Sequence, residues 1–254
     1  MKPKALLLSG LLVAAAPAQE ATPPAEPPAT PEQSPAANPA ADLTAAAEKL
    51  AAATNYTWSQ TTSFGGNFGD RTTTGKKGSG GFLLVTMPGR DREFQVLSRG
   101  GKAAMQRDGA WVVPDPNGEE QGPGRWIARM LQNLREPAVE AKELVAKVTE
   151  LKEESGTFVG KLSEEAAKEL MSFRGAGRRG GGGGGAPPEI TGAGGSVTVT
   201  VADGVLTGYR TMLTGRMNFN GEGRDVTRTT EVEFTNVGST SFDIPEAAAG
   251  LLVE

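Results

Sequence analysis

Hydrophobic positions along the chain change their period several times, and each change marks an element. Leu43, Ala46, Ala47 and Leu50 recur at i, i+3, i+4 and i+7, which predicts an amphipathic helix over 42–54 with Asp42 as its N-cap. Tyr56, Trp58, Thr61, Thr62 and Phe64 are strand formers, so 56–64 reads as β. Residues 65–81 are rich in Gly, Thr and Lys and predict a frayed or interrupted strand. Residues 82–87, closed by Pro88-Gly89, and 93–98 are further strands. Residues 102–106 and 110–113 flank Asp108-Gly109, a hairpin signal.

A helical block follows. Trp126, Ile127, Met130, Leu131 and Leu134 form one stripe at helical spacing. Pro137 ends it and starts a helix carrying Val139, Leu144 and Val145. Residues 148–152 and 157–162 predict a hairpin turning at Glu154-Ser155-Gly156. Ser163 then caps a helix whose first turn holds Glu164 and Glu165, and whose buried candidates are Ala166, Leu170, Met171 and Phe173. Val197, Val199 and Val201 alternate with Thr198 and Thr200, and Asp203-Gly204 makes a tight turn. Residues 205–219 form a long strand, and Val226, Val232 and Phe234 share one face of the last one. Residues 245–251 close the chain as a helical turn. Tight turns between strands imply antiparallel pairing, and alternation implies one buried face. The expected fold is α+β, a curved antiparallel sheet with helices on its concave side.

The ends and the composition change this picture in three ways. Lys2, Lys4, the apolar run 5–16 and Ala16-Pro17-Ala18 read as a signal peptide over 1–18, cleaved before Gln19. The run is shorter than the roughly 20 residues of a membrane-spanning helix. Residues 19–41 are mostly Ala, Pro, Glu, Thr and Gln, and read as a disordered tether ahead of a domain over 42–254. The Gly180–Gly185 run, between Arg178-Arg179 and Pro187-Pro188, predicts a flexible loop over 174–195.

The 254-residue chain has no cysteine and no histidine. That excludes disulfides, thiolate nucleophiles, a lipid-modified cysteine, a Ser-His-Asp triad and His-ligated metals. Formal net charge is −4. Losing Lys2 and Lys4 with the leader leaves 24 basic against 30 acidic residues, or −6, which argues against nucleic acid and anionic membranes as partners. The Arg174-Gly-Ala-Gly-Arg-Arg-Gly180 tract is too short for an RGG segment. It also lacks the Lys-Ser/Thr of a phosphate loop. The acidic turns 115–120 and 220–225 lack EF-hand spacing. The pairs Glu119/Glu120, Glu153/Glu154 and Glu164/Glu165 sit at turns and a helix start. A glycosidase needs carboxylates about 5–9 Å apart across a cleft. Asn55-Tyr-Thr57 matches a glycosylation sequon and equally a strand start. The expectation is no catalytic residue, no metal and no cofactor.

The order of elements resembles the LolA-like superfamily of extracytoplasmic lipoprotein carriers and lipid-binding proteins. Gly156-Thr-Phe-Val-Gly-Lys-Leu-Ser-Glu-Glu-Ala-Ala-Lys-Glu-Leu170 is similar to its step from strand to capped helix. Residues 224–242, with Phe234-Thr-Asn-Val-Gly238 before Ile244-Pro245, resemble its closing strands. The resemblance covers about 42–254 and implies a half-barrel able to hold acyl chains. The missing lipidated Cys, the Gly-rich loop and the Pro-rich leader depart from it. On this reading the protein is an exported, periplasmic or secreted binding protein, not an enzyme. It holds a lipid or acylated peptide between sheet and helices, without stable membrane insertion. The pocket candidates are Trp58, Phe64, Trp111, Trp126, Met130, Leu134, Met212 and Phe234. The alternative is an envelope module that binds a protein partner and fills its cavity with its own side chains.

Overall fold

The computed structural model describes residues 38–65, 69–89, 92–115, 135–174, 189–219 and 222–253. Helix α1 (Pro39–Ala51) begins where Asn38 Oδ1 accepts a hydrogen bond from the Ala41 amide at 3.3 Å, with Pro39 opening the first turn. The cap is therefore Asn38, and Asp42 lies inside the first turn, where its charge complements the helix dipole. The stripe Leu43, Ala46, Ala47 and Leu50 is the buried face.

Six strands follow: β1 (Tyr56–Phe64), β2 (Asp70–Lys77), β3 (Leu83–Pro88), β4 (Glu93–Arg99), β5 (Lys102–Arg107) and β6 (Ala110–Val112). Then come α2 (Pro137–Val145), β7 (Val148–Glu154), β8 (Thr157–Leu162), α3 (Glu164–Arg174), β9 (Glu189–Ala202), β10 (Val205–Phe219), β11 (Glu222–Thr235) and α4 (Glu246–Gly250). The turns Asp108-Gly109, Ser155-Gly156 and Asp203-Gly204 have positive φ at both residues, the twist that two-residue hairpins need. Where the sequence predicts an interrupted strand, β2 runs unbroken through Thr72 and Thr74. β9 begins at Glu189, inside the span predicted as a loop. The predicted helix of Trp126, Met130 and Leu134, the leader and residues 175–188 lie outside the described residues.

The strands form one antiparallel sheet in the order β6-β5-β4-β3-β2-β1-β11-β10-β9-β8-β7. The first and last strands, β1 and β11, pair at its centre with Trp58 opposite Phe234. The expected half-barrel with helices on a concave face is overturned. The sheet is open and not strongly curled, because β6 and β7 stand at opposite ends and each pairs with one neighbour. Neither edge suits closure: β6 has three residues, and β7 carries a register shift between Thr149 and Lys152 with Glu150 at φ 51°.

The helices are also not confined to one face. Val96 and Met105 face the main core, and the neighbouring Leu97 and Ala104 face a second cluster on the other side. Helix α4, which packs by β6, covers that second cluster with Ala248, and Leu252 just past the helix adds to the cover. On the main face, α1 packs on α2 and β10, and α3 packs on β8, β9 and β10.

Candidate functional site

Alternation along β10 and β11 puts Tyr209, Thr211, Leu213, Arg228, Thr230, Val232 and Phe234 on the face that carries the helices. Most of this face is apolar. Three residues are not: Arg228, Thr230 and Thr211 are 5, 7 and 6% exposed. Among the described residues these are the buried polar side chains, and all three line one cleft. Thr211 lies directly opposite Thr230, and Leu213 opposite Arg228.

The cleft opens between α2 and α3 above β10 and β11, with a volume of about 90 Å³. Leu144, Leu170, Leu213 and Tyr209 supply its apolar lining. Arg228 Nη2 donates to the Leu170 carbonyl at 2.6 Å, which ties the floor to the last turns of α3, where a cation meets the negative end of the dipole. At the rim, Arg135 Nη1 lies 2.6 Å from Glu143 Oε2, and Lys147 pairs with Glu169 across the mouth. With Glu140 the lining holds three cations and three carboxylates.

Helix α2, one wall, is held from the other side. Pro137 starts it, and Ala138, Ala141, Leu144 and Val145 are buried, whereas Val139 faces solvent. Its N-cap residue Glu136 accepts hydrogen bonds from Tyr56 Oη at 3.3 Å and from Lys77 Nζ. Lys77 also donates to the Ala53 carbonyl at 3.0 Å and lies 5.6 Å from the Tyr56 ring centre. Burial, and then the negative charge of Glu136, push the Tyr56 phenol well above its ordinary value, so Tyr56 stays a neutral donor and does not serve as a base. Lys142 adds a 3.1 Å ion pair to Glu48 of α1.

The predicted pocket residues do not converge. Trp58 and Phe234 are buried in the main core. Phe234 lies 5.6 Å from Tyr56 and 6.5 Å from Tyr209, between ring centres. The Trp58 indole lies over Gly75, where a Cβ would stand 2.5 Å from Nε1. Among the described residues that nitrogen has no hydrogen-bond partner. Phe64 is half-buried at the end of β1. Trp111 packs against the second cluster on the opposite face, and Met212 is exposed there. Trp126, Met130 and Leu134 lie outside the described residues. Sequence reading missed Arg228, Thr230 and Thr211. The signal was present: 228 and 230 fall in the same register as Val226, Val232 and Phe234, so a charge and a hydroxyl stand where the pattern demands apolar groups.

A second hollow of about 180 Å³ lies between the Ser79–Gly81 turn and the Gly100-Gly101 hairpin. Its cations have protein partners: Arg99 Nε donates to the Gly80 carbonyl at 3.1 Å and Lys102 Nζ to the Val253 carbonyl at 2.7 Å. The Asn55 sequon is built into the core edge: Asn55 Oδ1 accepts from the Thr240 amide at 2.8 Å, and Thr57 Oγ1 lies 3.0 Å from Thr240 Oγ1. Among the described residues no group of three or more carboxylates could hold a metal ion, and no helix is long and apolar enough to cross a membrane.

No family model matches the chain, and no curated protein does. Among solved structures, it is similar to LprF from Mycobacterium bovis (10% identity, 82% of this chain and 96% of that one, TM-score 0.40). It is also similar to a LolA superfamily protein from Nitrosomonas europaea (8%, 83% and 96%, TM-score 0.30). A third is a DUF1329 family protein from Desulfovibrio piger (9%, 83% and 97%, TM-score 0.32).

Proposed function

We propose that the protein is an exported binding protein that holds the apolar part of a small amphiphile between its sheet and helices α2 and α3. One observation carries the reading: the cleft over β10 and β11 joins an apolar surface of Leu144, Leu170, Leu213 and Tyr209 to six charged side chains and the hydroxyls of Thr211 and Thr230. An amphiphile needs both kinds of surface, apolar area for its tail and placed polar groups that fix its head. In this reading Phe234 and Trp58 form the apolar backing behind Tyr209, and Trp111 and Met212 on the other face play no part. Export rests on the leader read over 1–18. The zero counts of cysteine and histidine fit binding better than hydrolysis.

A volume of about 90 Å³ admits a headgroup or a chain end, so a longer tail widens the gap between α2 and α3. The same small volume favours the second reading, a protein-interaction module whose own side chains fill the space. Native mass spectrometry and solvent extraction of the full protein from an envelope fraction separate the two. A stoichiometric amphiphile that leaves under denaturation is the expected result. Protein that arrives ligand-free and takes up no ten-carbon amphiphile would overturn the binding reading in favour of the module.

A further inference from the structure

Resting on the binding reading above, we propose that the cleft takes an uncharged, acceptor-bearing polar group, turned inward onto Arg228, Thr211 and Thr230. The first ground is concentration. The main core is apolar across β3, β4, β5, β8 and β9, and the buried charged and threonine side chains among the described residues all meet at one place, under the cleft. Burying a guanidinium and two hydroxyls on an otherwise apolar sheet face is costly. A core that only had to pack would place Val or Leu at 211, 228 and 230, as it does at Leu213 and Val232 in the same rows. The second ground is donor chemistry. A guanidinium offers five N–H groups in a fixed fork and no acceptor, and each threonine adds an O–H. The group they suit is an oxygen acceptor.

The third ground is charge. The lining holds Arg135, Lys147 and Arg228 against Glu140, Glu143 and Glu169. Arg135 is paired with Glu143, and Lys147 with Glu169. Arg228 and Glu140, the other two charges of the lining, are opposite in sign. The Leu170 carbonyl at the end of α3 adds partial negative charge next to Arg228. A carboxylate or phosphate entering this balanced site brings an uncompensated charge past the rim carboxylates. An amide, ester or alcohol brings the same acceptor oxygen without it.

The test compares three ligands with one tail: decanamide, decanoate and decylamine, titrated calorimetrically into the full-length protein at neutral pH. The expected result is decanamide binding about fivefold or more tighter than decanoate, with decylamine weakest, the scale of one or two net hydrogen bonds. The variant T211V/T230V keeps the shape of the floor and removes its hydroxyls, and should weaken decanamide about fivefold or more. Arg228→Lys, with folding checked by circular dichroism, should weaken decanamide by losing the fork. Equal affinity for decanamide and decanoate, a preference for decanoate, or a decanamide affinity untouched by T211V/T230V would each overturn the proposal while leaving the binding reading standing. Binding of none of the three overturns both.

Discussion

Tyr56 shows how one buried group couples α2 to the sheet. Its hydroxyl donates to Glu136 and accepts from the Ala138 amide at 3.4 Å, and its side chain is fully buried. Because the folded state holds the phenolic proton more tightly than the unfolded chain, its contribution is fully present below the unfolded value of about 10. That contribution is lost as pH rises beyond it. Stability measured by urea melts should therefore fall from about pH 10 upward, and Tyr56→Phe should flatten that decline. At neutral pH the same variant should cost about 1–2 kcal/mol for two lost hydrogen bonds. A variant as pH-sensitive as the parent would show that the decline does not come from the Tyr56 phenol. Gly75 is the second residue with a sharp prediction. A Cβ there would stand 2.5–2.7 Å from the Trp58 ring, which is wedged in the core and cannot swing away. Gly75→Ala should cost about 1–3 kcal/mol in denaturant melts, the range for overpacking.

At the scale of elements, α3 owes its start to Ser163, whose Oγ accepts from the Ala166 amide at 3.2 Å. Ser163→Ala should cost about 1 kcal/mol by chemical denaturation, and Ser163→Asp should recover most of it. The Lys147–Glu169 pair between α2 and α3 is partly exposed, so a double-mutant cycle on it should give no more than about 1 kcal/mol. Much of this was legible in sequence because it is local. The stripe of α1, the Ser163 cap, Pro137 at the start of α2 and the three turns all depend on residues within a few positions of each other. The pairing of β1 with β11 is not local: Trp58 meets Phe234 across most of the chain, and nothing in either strand names the other. The cleft was illegible for a related reason. It needs Arg228 of β11, Thr211 of β10 and two helices from elsewhere, and attention to aromatic residues as pocket markers passed over polar residues in apolar register.

On the scale of the whole molecule, the sheet separates two cores. The first lies under α1, α2 and α3 and includes the cleft. The second, of Leu97, Ala104, Ala248 and Leu252, lies on the other face and is closed by the C-terminal segment. Consecutive residues on β4 and β5 point into different cores, which is why a fold with one buried face was the wrong expectation for this half of the sheet. The arrangement makes the two cores energetically separable. Leu252 is 4% exposed, so Leu252→Ala should cost about 2–5 kcal/mol, the range for a buried leucine. Substitutions without shared partners add within about 0.5 kcal/mol. Leu252→Ala combined with T211V/T230V should then lose the sum of the separate losses in denaturant melts. It should also leave the decanamide-to-decanoate ratio where T211V/T230V alone puts it. A Leu252→Ala protein that stayed folded but altered that ratio would mean the faces communicate through β3 to β5. The cleft would then have to be treated as part of a sheet-wide change rather than as a site held by α2 and α3.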